Sequence, residues 1–306
     1  MKPSIYVALF VILVACTESK KPEVIGLDGR AFYEPSRSVT QEQQLQQKLR
    51  EAKQKFEENP SEENYIWYGR REAYLMHLQK AIAIYTEGLE KYPDSYRLYR
   101  HRAHRYISMR DFDKAISDSK RAAELVAGKP VESEPDGAPN KLNIPKSTSQ
   151  SNIWYHLGLA YFLKADYANA AKAYEECMKF SDNDDLLVAT TDWLYITYQR
   201  LGRKEEAQAL LTKIDAQMSI LENEAYHKRL LMYKGQYQPE LLLAVLEEGQ
   251  DPDFVLAAQG YGVGNWYLLQ GDTTKAIDLF KKVVEGPSFT AFGFIAAEAD
   301  LQRLKK

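Results

Sequence analysis

The sequence has few cysteines and no excess of charge. Two of its 306 residues are cysteine, so a framework of disulfides is excluded. The 40 Lys and Arg residues nearly balance the 43 Asp and Glu residues, and the net charge of −3 gives no general reason to expect nucleic acid as a partner. With 45% apolar residues, the chain can bury a large core without such support.

Motifs of common catalytic sites are also missing. The sequence contains no G-x-S-x-G, no H-E-x-x-H and no P-loop. Gly260-Tyr-Gly-Val-Gly264 resembles a glycine-rich phosphate loop only superficially, because no strand precedes it. His101 and His104 lie one helical turn apart, but arginines surround them and no third metal ligand is apparent. We therefore predict no catalytic residue, no metal site and no cofactor.

One pattern recurs along the chain at a step of about 34 residues. Its best copy consists of Trp154, Leu157, Gly158, Tyr161, Ala170, Tyr174 and Cys177. The small residues let the two helices of a pair approach closely, so Cys177 is predicted to be a core residue. Further copies begin at Glu62, Tyr96, Val188, Leu221 and Ala257, and the copy at Leu221 is weak. The fixed period indicates stacked helix pairs, because one pair alone cannot bury its apolar face.

The pattern closely resembles the tetratricopeptide repeat over roughly 62–287. The resemblance implies an all-α, right-handed superhelical solenoid of stacked helix pairs. Residues 40–126 are expected to hold an N-terminal extra helix and two repeats. Residues 151–306 are expected to hold about four more repeats and a C-terminal capping helix that begins near Phe289.

The first 15 residues resemble a lipoprotein signal peptide. Their apolar run, Ile5 to Val14, is too short to span a bilayer but is typical of a secretory signal. It leads into Leu13-Val14-Ala15-Cys16, which resembles the bacterial lipobox. That resemblance implies diacylglycerol on Cys16, with residues 16–39 as a flexible tether, and Thr17 favours the outer membrane. The alternative is an ordinary cleaved signal in which Cys16 is incidental.

Residues 127–150 interrupt the repeats. Four prolines and two glycines in this segment exclude a regular helix. One interpretation is an ordered loop that touches the concave face of the solenoid, with its second half, from Asn140 onward, lying in the groove. The other is a disordered bulge.

The first helix of each pair lines the concave groove in this repeat family. Transferring that register predicts a partner-binding groove formed by Arg70, Tyr74, Arg97, Arg100, His104, Tyr155 and Arg200. Residues 96–121 contain eight Lys or Arg against three Asp, and arginine forks suit carboxylates and phosphates. The resemblance does not extend to the carboxylate clamp of chaperone-binding members, because Arg70 and Ile66 stand where Asn and Lys are usual. The alternative is that these arginines are solvated or pair with neighbouring glutamates.

Two functions therefore compete. The first is a lipid-anchored adaptor or scaffold that binds a protein or peptide partner, acidic in character, in the bacterial cell envelope. The second is a binding component for an anionic glycan or peptidoglycan fragment, which tyrosines and arginines in a groove would suit. An enzyme would need a catalytic group that the sequence does not offer.

Overall fold

Helix pairs follow one another along most of the chain. A computed structural model describes residues 21–137, 139–244 and 252–305. Fourteen helices lie in these ranges, and the prediction of an all-α solenoid is confirmed. The helices of the first half are α1 (Val39–Glu58), α2 (Glu62–Tyr74), α3 (Leu78–Lys91), α4 (Tyr96–Ser108), α5 (Phe112–Val126), α6 (Ser149–Leu163) and α7 (Tyr167–Met178).

The second half continues in the same way. Its helices are α8 (Asp184–Arg200), α9 (Lys204–Leu211), α10 (Glu224–Tyr233), α11 (Pro239–Ala244), α12 (Pro252–Leu269), α13 (Thr273–Glu285) and α14 (Phe292–Leu304). The even- and odd-numbered helices from α2 to α13 form six successive pairs, one for each copy of the sequence pattern. In the described part of the chain, no helix is both long enough and apolar enough to span a membrane.

Polar residues at fixed positions begin these helices. Ser61, Ser95 and Thr148 cap the first helices of three pairs, each accepting a hydrogen bond from a backbone N–H of the first turn. Asp111 and Asp166 cap the second helices of two pairs in the same way. Each cap satisfies an N–H group that has no partner within the helix, which fixes where the helix starts.

The pattern's small residues pack against its large ones within a pair. A Cβ atom on Gly158 would lie 2.7 Å from the ring of Tyr174, so only glycine allows α6 and α7 to approach this closely. Gly69 meets the ring of Tyr85 in the same way between α2 and α3. The sulfur of Cys177 is buried, which confirms its place in the core.

The segment between Cys16 and α1 is not a flexible tether where the structure describes it. Strands β1 (Val24–Ile25) and β2 (Ala31–Phe32) form a small antiparallel hairpin. Val24 is buried, and the ring of Phe32 stacks on that of Phe289 at 5.0 Å. The tether prediction is therefore wrong for this hairpin, because its apolar residues find partners at the far end of the chain. The predicted signal peptide and Cys16 lie outside the described residues.

Helix α14 packs against α12 and α13 and also contacts α6, a first helix of an earlier pair. Most of its length is buried, including Glu298 and Asp300. Glu298 accepts a hydrogen bond from Arg110 in the turn between α4 and α5, and the side chain of Arg303 donates to the carbonyl of Leu163 at the end of α6. The chain's last helix thus contacts early repeats as well as the late ones.

Candidate functional site

The interrupting loop, described at 127–137 and 139–150, contacts the helices that line the concave face. Within it, residues 131–137, here called the strap, run beside the chain entering α6. The backbone N–H of Glu134 donates to the carbonyl of Ser147 at 2.9 Å, and Ser133 forms a β-bridge with Thr148. The strap thus makes the contact with the concave face that one of the two interpretations predicts. Its second half does not lie in the groove as expected, because Leu142 and Ile144 are 63% and 49% exposed.

The strap places a carboxylate among basic side chains. Glu134 Oε1 lies 3.0 Å from Arg100 Nη2 and 3.6 Å from His101 Nε2. Glu134 Oε2 accepts a hydrogen bond from Asn152 Nδ2 at 3.1 Å. Glu134 and Arg100 are both buried, so this is a desolvated ion pair between the loop and α4. Burial lowers the pKa of Arg100, and Glu134 opposes that effect.

Two further arginines hold the strap by its backbone. Arg70 Nη1 donates to the carbonyl of Pro135 at 2.8 Å, and Arg71 Nη1 donates to the carbonyl of Gly137 at 3.0 Å. Gly137 lies so close to Tyr74 that a Cβ atom would sit 1.6 Å from the phenolic oxygen. These two contacts use backbone carbonyls, so they depend on the path of the strap and on a small residue at position 137 rather than on other side chains of the strap.

The positive charge on this surface exceeds the negative charge supplied by the strap. Arg100 Nε and Asp136 Oδ2 are buried without a hydrogen-bond partner in the described chain. Arg105 lies near Tyr74, Arg70 and Arg100, and within the described ranges it has no anionic partner. Burial raises the pKa of Asp136, the carboxylates of Glu222 and Glu134 raise it further, and Arg70 acts in the opposite direction.

Aromatic rings fill the middle of the concave face. His104 stacks near His156 with ring centres 4.5 Å apart, and Phe292 of α14 lies 5.2 Å from His104. Tyr155 Oη and Tyr226 Oη are 2.8 Å apart. Burial lowers the pKa of both histidines well below the usual range, and neighbouring arginines lower it further. The two rings are therefore neutral at pH 7, and they pack as aromatic groups.

Two adjoining cavities, of about 330 and 280 Å³, lie beside these rings. Small-molecule sites start at about this size. Both cavities are lined by His104, Glu222, Asn223, Tyr226 and Phe292.

The two remaining predicted groove residues make ion pairs within the fold. Arg97 Nη2 lies 2.5 Å from Glu63 Oε2 on α2. Arg200 Nη2 donates to Asn265 Oδ1 and to Asp300 Oδ2, both at 2.9 Å. Arg97 therefore follows the alternative of pairing with a neighbouring glutamate, and Arg200 helps to fix α14.

Known proteins share these repeats. Family models of the tetratricopeptide repeat match residues 151–184 and 258–285. The chain contains tetratricopeptide repeats. It resembles a tetratricopeptide repeat protein from Parabacteroides merdae ATCC 43184, with a TM-score of 0.50 and 15% identity, covering 85% of this chain and 94% of that one. It also matches YrrB, a TPR protein with an unusual peptide-binding site, with a TM-score of 0.42 and 15% identity, covering 81% of this chain and 97% of that one. No curated protein sequence matches the chain.

Five of the seven residues predicted to line the groove lie in two clusters on the concave face. Arg70, Tyr74 and Arg100 meet at the strap, and His104 and Tyr155 meet around Phe292. Across 21–137, 139–244 and 252–305, no group of three or more His, Cys, Asp and Glu side chains is arranged to hold a metal ion.

Sequence reasoning missed the groups that fill the groove. The repeat pattern does not include Glu134 or Gly137, although acidic residues in a loop beside an arginine-rich repeat indicate that the loop and the repeat can pair. Phe292 gave no such signal, because its position depends on how far the solenoid turns before α14 begins.

Proposed function

We propose that this chain is a lipid-anchored tetratricopeptide scaffold of the bacterial cell envelope that binds a protein or peptide partner. Stacked repeats of this kind present extended concave surfaces, and they generally serve as interaction modules rather than enzymes. The observation that carries the proposal is the arginine surface on α2 and α4, defined as Arg70, Arg71, Arg100 and Arg105. Guanidinium forks bind carboxylates with two parallel hydrogen bonds, so an acidic segment suits this surface.

A lipid on Cys16 would hold the scaffold close to the membrane. Contacts with the folded chain begin near Pro22, whose carbonyl accepts a hydrogen bond from Gln79, and Glu23 Oε2 accepts one from the backbone N–H of Leu78. Pro22 is six residue steps after Cys16, and an extended chain spans at most about 3.5 Å per step. The first repeat would then lie within roughly 20 Å of the lipid headgroups.

Replacing the lipidated residue tests the anchor. The Cys16→Ala chain should leave the membrane fraction or accumulate as an unprocessed precursor, because no thiol is present to carry diacylglycerol. Cys177→Ala is the matched control and should remain attached. Unchanged membrane attachment of Cys16→Ala would contradict the anchor and leave the binding surface unaffected.

Site-specific photocrosslinking tests the partner-binding face. A photoreactive amino acid at Ser147, beside the strap, should crosslink one specific envelope protein. The same amino acid at Lys172, which is exposed on α7, serves as the control and should not crosslink that protein. Equal crosslinking from both positions, or none from Ser147, would contradict binding through the concave face.

The alternative is an anionic glycan or peptidoglycan fragment, and the cavities favour it. The larger cavity is lined by Tyr226, Tyr261 and Arg229, and by Trp193, whose Nε1 is buried with no hydrogen-bond partner among the described residues. Aromatic faces and free donors suit a sugar ring. Calorimetric titration with muropeptides distinguishes the two functions, because a glycan site predicts saturable binding that Trp193→Phe weakens.

A further inference from the structure

The strap has the composition of a short acidic ligand. Its sequence, Val-Glu-Ser-Glu-Pro-Asp-Gly, places carboxylates at every second position and contains no basic residue. Glu132 accepts a hydrogen bond from Tyr96 at 2.5 Å, and Glu134 pairs with Arg100. Alternate residues of an extended segment point to the same side, so this spacing directs acidic groups toward one surface.

Releasing the strap would break hydrogen bonds with the first turn of α6, but it would leave the neighbouring helices their own internal hydrogen bonds. Helix α5 ends at Val126 and α6 begins at Ser149, so the strap belongs to neither. The capping box of α6 is made by Thr148 and Ser151 and would remain. Two donors of α6 would each lose an acceptor: the backbone N–H of Ser149 donates to the carbonyl of Glu132 at 2.9 Å, and Asn152 Nδ2 donates to Glu134 Oε2 at 3.1 Å. Arg70 and Arg71 hold the strap only through carbonyl oxygens, which any other extended peptide also provides.

The strap is also an incomplete complement to the surface. Asp136 makes no ion pair in the described chain, Arg100 Nε has no hydrogen-bond partner there, and no carboxylate contributes to the surroundings of Arg105. A segment with one more carboxylate in reach of Arg105 would satisfy groups that the strap leaves unpaired. Hydrogen bonds between charged groups are stronger than those between neutral groups. A segment that adds one such bond to Arg105 would therefore bind this surface more tightly than the strap does.

We infer that the strap is an internal occupant of the arginine surface, and that an acidic, extended peptide segment of the partner binds there by displacing it. The inference rests on the proposed function, because it concerns the same surface. A competing internal segment reduces the apparent affinity by the fraction of time that the surface is free. The strap thereby sets a minimum affinity for binding, and segments with few carboxylates do not reach it.

A peptide with the strap's own sequence provides the probe. Fluorescein-labelled peptide 131–137 is titrated, with anisotropy as the readout, into the solubilised full chain and into a strap-free chain in which 131–137 is replaced by Gly and Ser. The strap-free chain should bind at least about tenfold more tightly, because its surface is always open. Arg100→Ala in the strap-free chain should weaken binding by at least about tenfold, since a charge-assisted contact is lost. Arg121→Ala, an exposed arginine on α5, is the matched control and should change nothing.

Three results would overturn the inference. They are equal affinity of both chains for the peptide, no binding to the strap-free chain, and equal binding of a control peptide carrying Glu134→Gln. Circular dichroism checks that the strap-free chain folds. If it does not fold, the full chain carrying Glu134→Gln is tested instead: tighter binding of the peptide than by wild type supports the inference, and equal binding overturns it. If the peptide results overturn the inference but the residue at position 147 still crosslinks one envelope protein, the scaffold binds its partner without displacing the strap.

Discussion

The buried pair between Arg110 and Glu298 joins the second helix pair to the last helix, α14. Glu298 Oε2 accepts a hydrogen bond from Arg110 Nε at 2.9 Å, and Oε1 accepts one from the backbone N–H of Leu27 at 2.9 Å. The two side chains are only 3% and 2% exposed. Burial lowers the pKa of Arg110 even with Glu298 beside it, which shows how strongly this position disfavours an unpaired charge.

We predict that Glu298→Gln destabilises the fold by about 3 kcal/mol, because removing one partner of a buried ion pair leaves the other charge uncompensated. The value lies at the low end of the usual range for two reasons. The amide keeps an acceptor for Leu27, and the rings of Phe32 and Phe294 lie 5.6 and 5.8 Å from the Arg110 guanidinium. The loss should concentrate where the pair acts, so amide hydrogen exchange should quicken in the hairpin and in α14.

Urea unfolding followed by circular dichroism measures the change. Glu285→Gln, an exposed carboxylate on α13, is the matched control and should stay within about 0.5 kcal/mol of wild type. Replacing both members of the pair by methionine should recover most of the stability, since an apolar pair of similar volume carries no unpaired charge. The reasoning is refuted if Glu298→Gln is as stable as Glu285→Gln, or if the double replacement is no more stable than the single one.

Three further predictions concern other parts of the solenoid. Burial holds the pKa values of three histidines well below those of the unfolded chain: His101, His104 and His156. As the pH falls, the unfolded chain therefore takes up protons before the folded chain does. The free energy of unfolding should decrease below pH 6.5 by up to about 1.4 kcal/mol per histidine and pH unit. An unchanged free energy of unfolding in urea from about pH 7.5 to 5.5 would contradict this. Gly158→Val should cost at least about 2 kcal/mol because the added atoms enter the ring of Tyr174, and an equal loss in exposed Ala168→Val would argue against that cause. Burial raises the pKa of Cys177 to about 12, so in a Cys16→Ser chain its thiol should react with a disulfide reagent at pH 8 only after unfolding, and rapid labelling of the folded chain would be inconsistent with this.

The repeat pattern predicts which helix residues lie together, but it does not predict where the acidic half of the inserted loop lies. The register correctly placed Arg70, Tyr74 and Arg100 near one another, because positions along one helix face are set by its period. It could not place Glu134, since a segment without periodicity is located only by the contacts that it makes. The same reasoning explains why the sequence predicts a tether where the hairpin lies: the apolar partner of Phe32 is Phe289, more than 250 residues away in sequence.

The sequence by itself determined the helix pairs, their order and the contacts within each pair. These depend on interactions over a few turns of helix, such as Gly158 against Tyr174, and such interactions repeat with the sequence. Only the tertiary structure decided that the concave face is occupied, by the strap at one end and by α14 in the middle. That outcome depends on the small rotations between successive helix pairs, which add up over six pairs and bring Phe292 to His104 and Glu298 to Arg110. A local sequence pattern does not determine this accumulated rotation.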